Sequence, residues 1–203
     1  MDELRLYNRG LSTEEVQRLY RTTAPTGVDT GLVGYWSFDG PDVAGTTAYE
    51  RRGRGKHGSR VNSPSVIAGE IGQAVSFWPN GTDTGAFAGM GDPSSGVLDF
   101  GTGDFAVGFW MKSSGYVNQG STANMPFSKS NNDFISPGYL FKYGGGNQMI
   151  FVARNGATDY EATAAGATTG DGQWHHYIGQ RSGSTIYIYV DGALAGSSTV
   201  SGS

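Results

Sequence analysis

The chain has 203 residues, no cysteine, and 14 basic against 18 acidic side chains for a formal charge of −4. That excludes a disulfide scaffold and thiol chemistry, and it gives no overall basic field for nucleic acid. Thirty-four glycines point to many tight turns and few helices. No run of about 18 apolar residues is present, so nothing here reads as a membrane span, and the residues after Met1 lack the basic-then-apolar order of a signal peptide.

In chain order, Met1–Asn8 alternates, with Leu4 and Leu6 on one face and Glu3, Arg5 and Tyr7 on the other, which predicts a strand. Leu11–Tyr20 predicts a short helix: Ser12 and Glu15 have capping-box spacing, and Leu11, Val16, Leu19 and Tyr20 fall near one helical face. Residues 22–30 carry neither period and have the Pro, Gly and Thr content of a linker. A new β module opens at Gly31, where Val33 and Tyr35 face one way and Leu32, Trp36 and Phe38 supply the bulk for a core.

A long polar loop runs to about residue 60 and holds Arg51-Arg-Gly-Arg-Gly-Lys-His57, a local basic run that reads as a solvated loop. Strands are expected at 71–77, 105–112, 139–143 and 149–154, followed by a meander of three strands near 173–181, 184–190 and 193–199. Asp191-Gly192 suits a type I′ turn between the last two, because both central residues need positive φ. Short strands between Gly/Asn/Asp/Ser clusters argue for an all-β, two-sheet antiparallel sandwich with helix confined to the N-terminal segment.

The succession Gly31-Leu-Val-Gly-Tyr-Trp-Ser-Phe-Asp39, Gly72-Gln-Ala-Val-Ser-Phe77, Phe105-Ala-Val-Gly-Phe-Trp-Met-Lys112, Asp171-Gly-Gln-Trp-His-His176 and Ile186-Tyr-Ile-Tyr-Val-Asp-Gly192 resembles the laminin-G-like, concanavalin A-like jelly-roll family, including the tandem repeats of bacterial surface proteins. The resemblance covers residues 31–203. Met1–Val16 also resembles the family, but its final strand, which in such domains pairs beside the first. Here that strand precedes everything else, and residues 31–203 are expected to lack their own final strands. Two explanations stand open: a slice of a tandem array, in which residues 1–21 close the preceding repeat, or a permuted subunit. In either case a vacant sheet position is expected, and residues 1–21 are its filler, folded back within the chain or donated to the next copy in a head-to-tail fibre.

Catalysis has little support. His175 and His176 are adjacent on a strand and point to opposite faces, and Asp159-Tyr-Glu161 lacks the third acid of a glucanase array. The resemblance implies a calcium site where first and last strands meet, with Asp2 and Asp39 as carboxylate ligands and a carbonyl near Gly58; Arg51, Arg52, Arg54 and Lys56 in the same loop oppose a cation. Trp36, Trp110 and Trp174 sit in strand patterns and are expected in the core. Trp78 lies in a polar loop, where an exposed indole suits stacking on a sugar ring, with Tyr116, Asn118, Asn131, Asn132 and Asp133 as further loop contacts. Asn80-Gly-Thr82 fits the N-glycosylation pattern. The sequence thus points to a non-enzymatic, extracellular structural or adhesive module of a cell-surface protein. Its partners are copies of itself through residues 1–21; the alternative is a carbohydrate-binding, calcium-dependent module.

Overall fold

A computed structural model describes residues 1–22, 28–52, 57–77, 85–91, 95–114, 125–129, 137–156, 158–166 and 169–201. In chain order the elements are β1 (Asp2–Tyr7), α1 (Thr13–Arg21), β2 (Leu32–Trp36), a 3-10 turn (Gly40–Asp42), β3 (Val43–Ala44), β4 (Thr47–Ala48), β5 (Gly58–Val61), β6 (Ser65–Ala68), β7 (Gln73–Ser76) and β8 (Phe87–Gly89). There follow β9 (Phe105–Ser114), β10 (Phe127–Lys129), β11 (Gly138–Tyr143), β12 (Met149–Asn155), β13 (Thr158–Thr163), β14 (Asp171–Ser182), β15 (Thr185–Val190) and β16 (Ala193–Thr199).

The largest sheet has six strands in the order β16-β15-β14-β9-β1-β2, all antiparallel. A second sheet, β10-β11-β12-β13, packs on its inner face, and two smaller sheets, β3-β4-β5-β8 and β6-β7, complete the set. Between the layers lie Phe105, Phe109, Phe141, Phe151, Tyr177, Ile186 and Ile188. Their rings interdigitate at 4.8 Å between Phe109 and Phe141 and 5.1 Å between Phe141 and Phe151, edge-on or tilted as aromatic quadrupoles prefer.

The outer face of the six-stranded sheet is also dry over β1, β2, β9, β14 and β15, while the edge strand β16 leaves Leu194 exposed. Helix α1 lies against it and brings Leu11, Val16 and Leu19 onto Tyr7, Leu32, Tyr35, Ala106, Ile178 and Tyr189. Its start is the expected capping box: Glu15 N–H donates to Ser12 Oγ at 3.3 Å and Ser12 N–H donates to Glu15 Oε2 at 3.0 Å. Gln180 in β14 fixes the segment leading into the helix, accepting from Leu11 N–H at 2.8 Å and donating to Leu11 O at 3.3 Å.

The position expected to be vacant is filled by the chain's own β1, which pairs with β2 on one side and β9 on the other. Because it is an interior strand under a helix, all six of its residues are buried, the charged ones included. Leu4 and Leu6 enter the inter-sheet core, while Tyr7 faces α1. In β2 the expected faces change: Val33 and Trp36 point into the main core, whereas Leu32 and Tyr35 point toward α1. The cause is a one-residue register shift, Leu6 standing opposite Gly34 but Tyr7 opposite Leu32. Such a bulge switches every later side chain to the other face.

Three other expectations are corrected. The polar stretch before residue 60 contains the short strands β3, β4 and β5, and β6, β8, β10 and β13 form where the sequence predicts no strand. Trp36 and Trp110 are buried, but Trp174 is only half-buried, because Asp171 to Trp174 is the irregular start of β14, where the register against β9 shifts. The Asp191-Gly192 turn forms as expected, with φ of 50° and 78°.

Candidate functional site

Two groups of polar side chains are held inside the sandwich, at opposite ends of the six-stranded sheet. The first lies where β1 begins. Asp2 is fully buried, and its Oδ2 accepts from Ile71 N–H at 2.9 Å. Asp39, just past β2, accepts through Oδ1 from Gln73 N–H at 2.8 Å, so the two carboxylates grip one tight segment, residues 69–73, from both sides. Glycines make the grip possible. A Cβ on Gly69 would stand 2.6 Å from Asp2 Oδ2, and one on Gly72, whose φ is +65°, would overlap Asp39 Oδ1.

Burial, with Glu3 and Asp39 nearby, pushes the Asp2 carboxyl up to about 7, against the lowering effect of the Ile71 hydrogen bond. The other oxygen, Asp2 Oδ1, is buried and has no hydrogen-bond partner among the described residues. An orphan carboxylate oxygen of this kind is rare in a protein interior. Arg51 comes to 3.7 Å from Asp39 Oδ2 and 3.0 Å from Asp42, so the arginine that the sequence set against a cation does sit beside this group. Gly58 lies in β5 opposite Ala48 and against Met90. No contact among the described residues brings it to the two aspartates.

Beside this pair runs a buried ionic chain with no signature in the sequence. Glu3, at a φ of +54°, takes a hydrogen bond from Tyr35 Oη at 2.8 Å and an ion pair from Arg5. The Arg5 guanidinium stacks 4.6 Å above the Tyr35 ring. Burial pushes Glu3 up while Arg5 and Tyr35 pull it down. His176 sits on the α1 side between Tyr20 and Trp110; burial, reinforced by Arg5, depresses it to about 3, so it is neutral.

His175 faces the other way, as the alternation predicts. Its Nδ1 lies 2.7 Å from Asp191 Oδ2 and its Nε2 lies 2.9 Å from Asp171 Oδ2. Although burial works against it, the two aspartates together hold its pKa above the ordinary value. Asp191 Oδ1 also accepts from His176 N–H, which makes the histidine part of a brace on the hairpin turn. Asp159 and Glu161 are engaged in cross-strand ion pairs with Arg154, at 2.5 Å, and with Lys142.

The second group lies at the other end, where β9 begins and β14 ends. A cleft of about 380 Å³ opens there between the layers, with Phe100, Tyr139, Tyr160, Lys129, Arg154 and Arg181 among its walls. The sugar-contact candidates Trp78, Tyr116, Asn118, Asn131, Asn132 and Asp133, and the glycosylation candidate Asn80, lie outside the described residues.

Residues 72–203, about two thirds of the chain, match the family Laminin_G_3, described as the concanavalin A-like lectin/glucanases superfamily. The chain belongs to this family. The match begins at Gly72, so β1, α1 and β2 stand before it. No curated protein matches the chain. A solved structure similar to it is that of an S-layer domain-containing protein from Clostridium thermocellum, at 18% identity and a TM-score of 0.42, covering 81% of this chain and 70% of that one. Among the described residues no helix is long and apolar enough to cross a membrane.

Proposed function

We propose that this Laminin_G_3 chain is a non-catalytic structural or adhesive module of an extracellular, cell-surface protein, and that β1 with α1 is its assembly element. One observation carries the reading. The first strand in sequence is an interior strand of the sheet, bound on both edges and separated from its partner β2 by α1 and residues 22–30. Backbone pairing does not depend on which copy supplies the strand, so the same site accepts β1 from a neighbour, and a non-closing exchange builds a head-to-tail fibre. The engaged states of His175, Asp159 and Glu161 support a holding role over a chemical one.

The test is exchange in solution. Two populations labelled with different fluorophores, mixed at high concentration and warmed to just below the melting transition, should develop energy transfer and elongated oligomers by light scattering. A strictly monomeric, non-exchanging chain under those conditions would sink the assembly reading.

A second reading rests on Asp2 Oδ1. A desolvated carboxylate oxygen with no donor suits a hard divalent cation that accepts carboxylate, carbonyl and water oxygens. We propose that Ca²⁺ is held here by Asp2 and Asp39, with its charge balancing the two carboxylates. Calcium at about 100 times its dissociation constant adds roughly 2.7 kcal/mol, or about 5–10 °C in melting temperature for a chain of this size. Asp2→Asn should abolish that response. Equal melting curves in calcium and in EDTA would overturn it.

A further inference from the structure

The turn that joins β15 to β16 is held by a group able to gain or lose a proton. Asp191 N–H donates to His176 O at 2.9 Å, and Asp191 Oδ1 accepts from His176 N–H at 2.9 Å. The second oxygen, Asp191 Oδ2, lies 2.7 Å from His175 Nδ1. Across the imidazole, Nε2 lies 2.9 Å from Asp171 Oδ2. Four residues of regular strand span about 13 Å, so this contact depends on the irregular start of β14. There the register against β9 shifts between Asp171 and Trp174, and Asp171 Oδ1 accepts from Gln173 N–H at 2.9 Å. The ring is clamped between carboxylates from two separate stretches of chain.

Counting donors decides its state. A carboxylate only accepts, and a neutral imidazole has one N–H and one lone pair. With a carboxylate on each nitrogen, the neutral ring satisfies one contact and sets lone pair against lone pair in the other. The imidazolium satisfies both, and each bond is then charge-assisted.

The groups around the ring leave that state in place. From β14 it meets Asp171 and the Tyr177 ring, 6.3 Å away, and from the turn it meets Asp191. Strand β9 places the uncharged Met111 opposite it, whereas Lys112 stands opposite Trp174 and so belongs to the other face. Strand β11 reaches Met111 through Tyr143 Oη at 3.6 Å; burial holds that hydroxyl above its ordinary value, so it stays neutral. Burial opposes a charged His175, and the two aspartates outweigh it. The side chain is 18% exposed, which leaves it open to protons from solvent.

The same turn carries α1. Tyr20, in the last turn of the helix, lies against Gly192, where a Cβ would stand 3.1 Å from Tyr20 Cδ1. The Tyr20 ring stacks on Trp110 at 5.6 Å. Asp191 is therefore gripped from the core side and Gly192 is covered from the helix side.

We infer that His175 is a proton-operated latch. As the imidazolium it ties Asp171 to Asp191 and fixes the β15–β16 turn under Tyr20; as the neutral ring it drops one carboxylate and frees the turn. Because the two aspartates meet the ring only in the folded chain, the latch contributes in full below the ordinary histidine value of 6.5. It is lost as pH rises through the higher value of the folded chain. On the assembly reading proposed above, a freed turn also loosens α1 and speeds strand exchange in alkali; that consequence rests on the reading, and the latch does not.

The experiment follows the whole chain from about pH 5 to about pH 9 by nitrogen-15 shifts of the histidine rings and by amide exchange. His175 should keep protons on both ring nitrogens through pH 6.5 and lose one only above it. Protection of Asp191 N–H, corrected for the base-catalysed rate of an open chain, should fall about fivefold across that step, the loss of one partly screened charge-assisted bond. The amides in the last turn of α1 should fall with it. In Asp171→Asn the new amide can donate to Nε2 while Nδ1–H stays on Asp191, so the neutral ring is satisfied. The His175 midpoint should drop and the fall in protection should vanish. Asp171 is 43% exposed, so the change spares the core; if the variant does not fold, the profiles of the unaltered chain still decide. A His175 midpoint at or below 6.5, Asp191 protection that ignores pH, α1 amides that do not follow the step, or a variant that titrates like the unaltered chain would each overturn the latch. Absence of strand exchange at every pH sinks the assembly reading and leaves these readouts untouched.

Discussion

A chain lacking residues 1–21 should lose its cooperative thermal transition and expose its core, and adding a peptide of residues 1–21 in trans should restore both. Leu4 and Leu6 are each 2% exposed, and Tyr7 is fully buried. Burying each such side chain contributes about 1.5–3 kcal/mol. Removal of β1 also strips hydrogen-bond partners from β2 and β9 at once and takes α1 off Ile178 and Tyr189. The sum reaches the whole stability of an ordinary domain, about 5–15 kcal/mol. The expected signature is loss of near-ultraviolet dichroism with gain of dye binding, reversed by the peptide at stoichiometric concentration. A peptide carrying Leu4→Lys and Leu6→Lys should fail to rescue. A truncated chain that melts as sharply and as high as the full one would show that β1 is an appendage, and the assembly proposal would lose its basis.

Much of this architecture is legible in the residues. The capping box at Ser12 and Glu15, the Leu4/Leu6 alternation and the Asp191-Gly192 turn are each short-range signals that depend on a few neighbours. What was not legible depends on contacts distant in sequence. The faces of β2 switch because of a bulge set by pairing with β1, and no property of Leu32 to Trp36 announces it. The strand β13 is polar, TDYEAT, and puts only Ala162 and Tyr160 toward the core; it is held by its backbone ladder to β12 and by ion pairs from Arg154 in β12 and Lys142 in β11.

The candidate sites divide in the same way. Asp2 and Asp39 stand out by resemblance, and the structure gives them a shared partner in the segment 69–73. Arg181 carries no such signal, because an arginine near a strand end ordinarily reads as a solvated charge. Only the inward count from Tyr177 and Gly179 shows that it points between the layers. Glu3 and Arg5 likewise read as an outward polar face, and a helix packed over that face turns them into a buried pair.

Gly179→Ala should be among the most damaging single-methyl changes in the protein. Gly179 lies in β14, and a Cβ there would be 2.5 Å from Phe151 Cγ, well inside any real contact. The root of a side chain cannot swing aside as a tip can. Phe151 is fully buried and is wedged between Phe105 and Phe141 at 6.1 and 5.1 Å. Overpacking of this kind costs about 3 kcal/mol when neither layer can give, or about 6–12 °C in melting temperature at this size. The cause is distinguishable from simple loss of strand flexibility. In a Phe151→Leu background the added methyl has room, so the double variant should be more stable than the sum of the two single changes predicts. Strict additivity would mean that the inter-layer gap at Gly179 is wider than described, and with it the space that Arg181 faces two residues further along the same side of the strand.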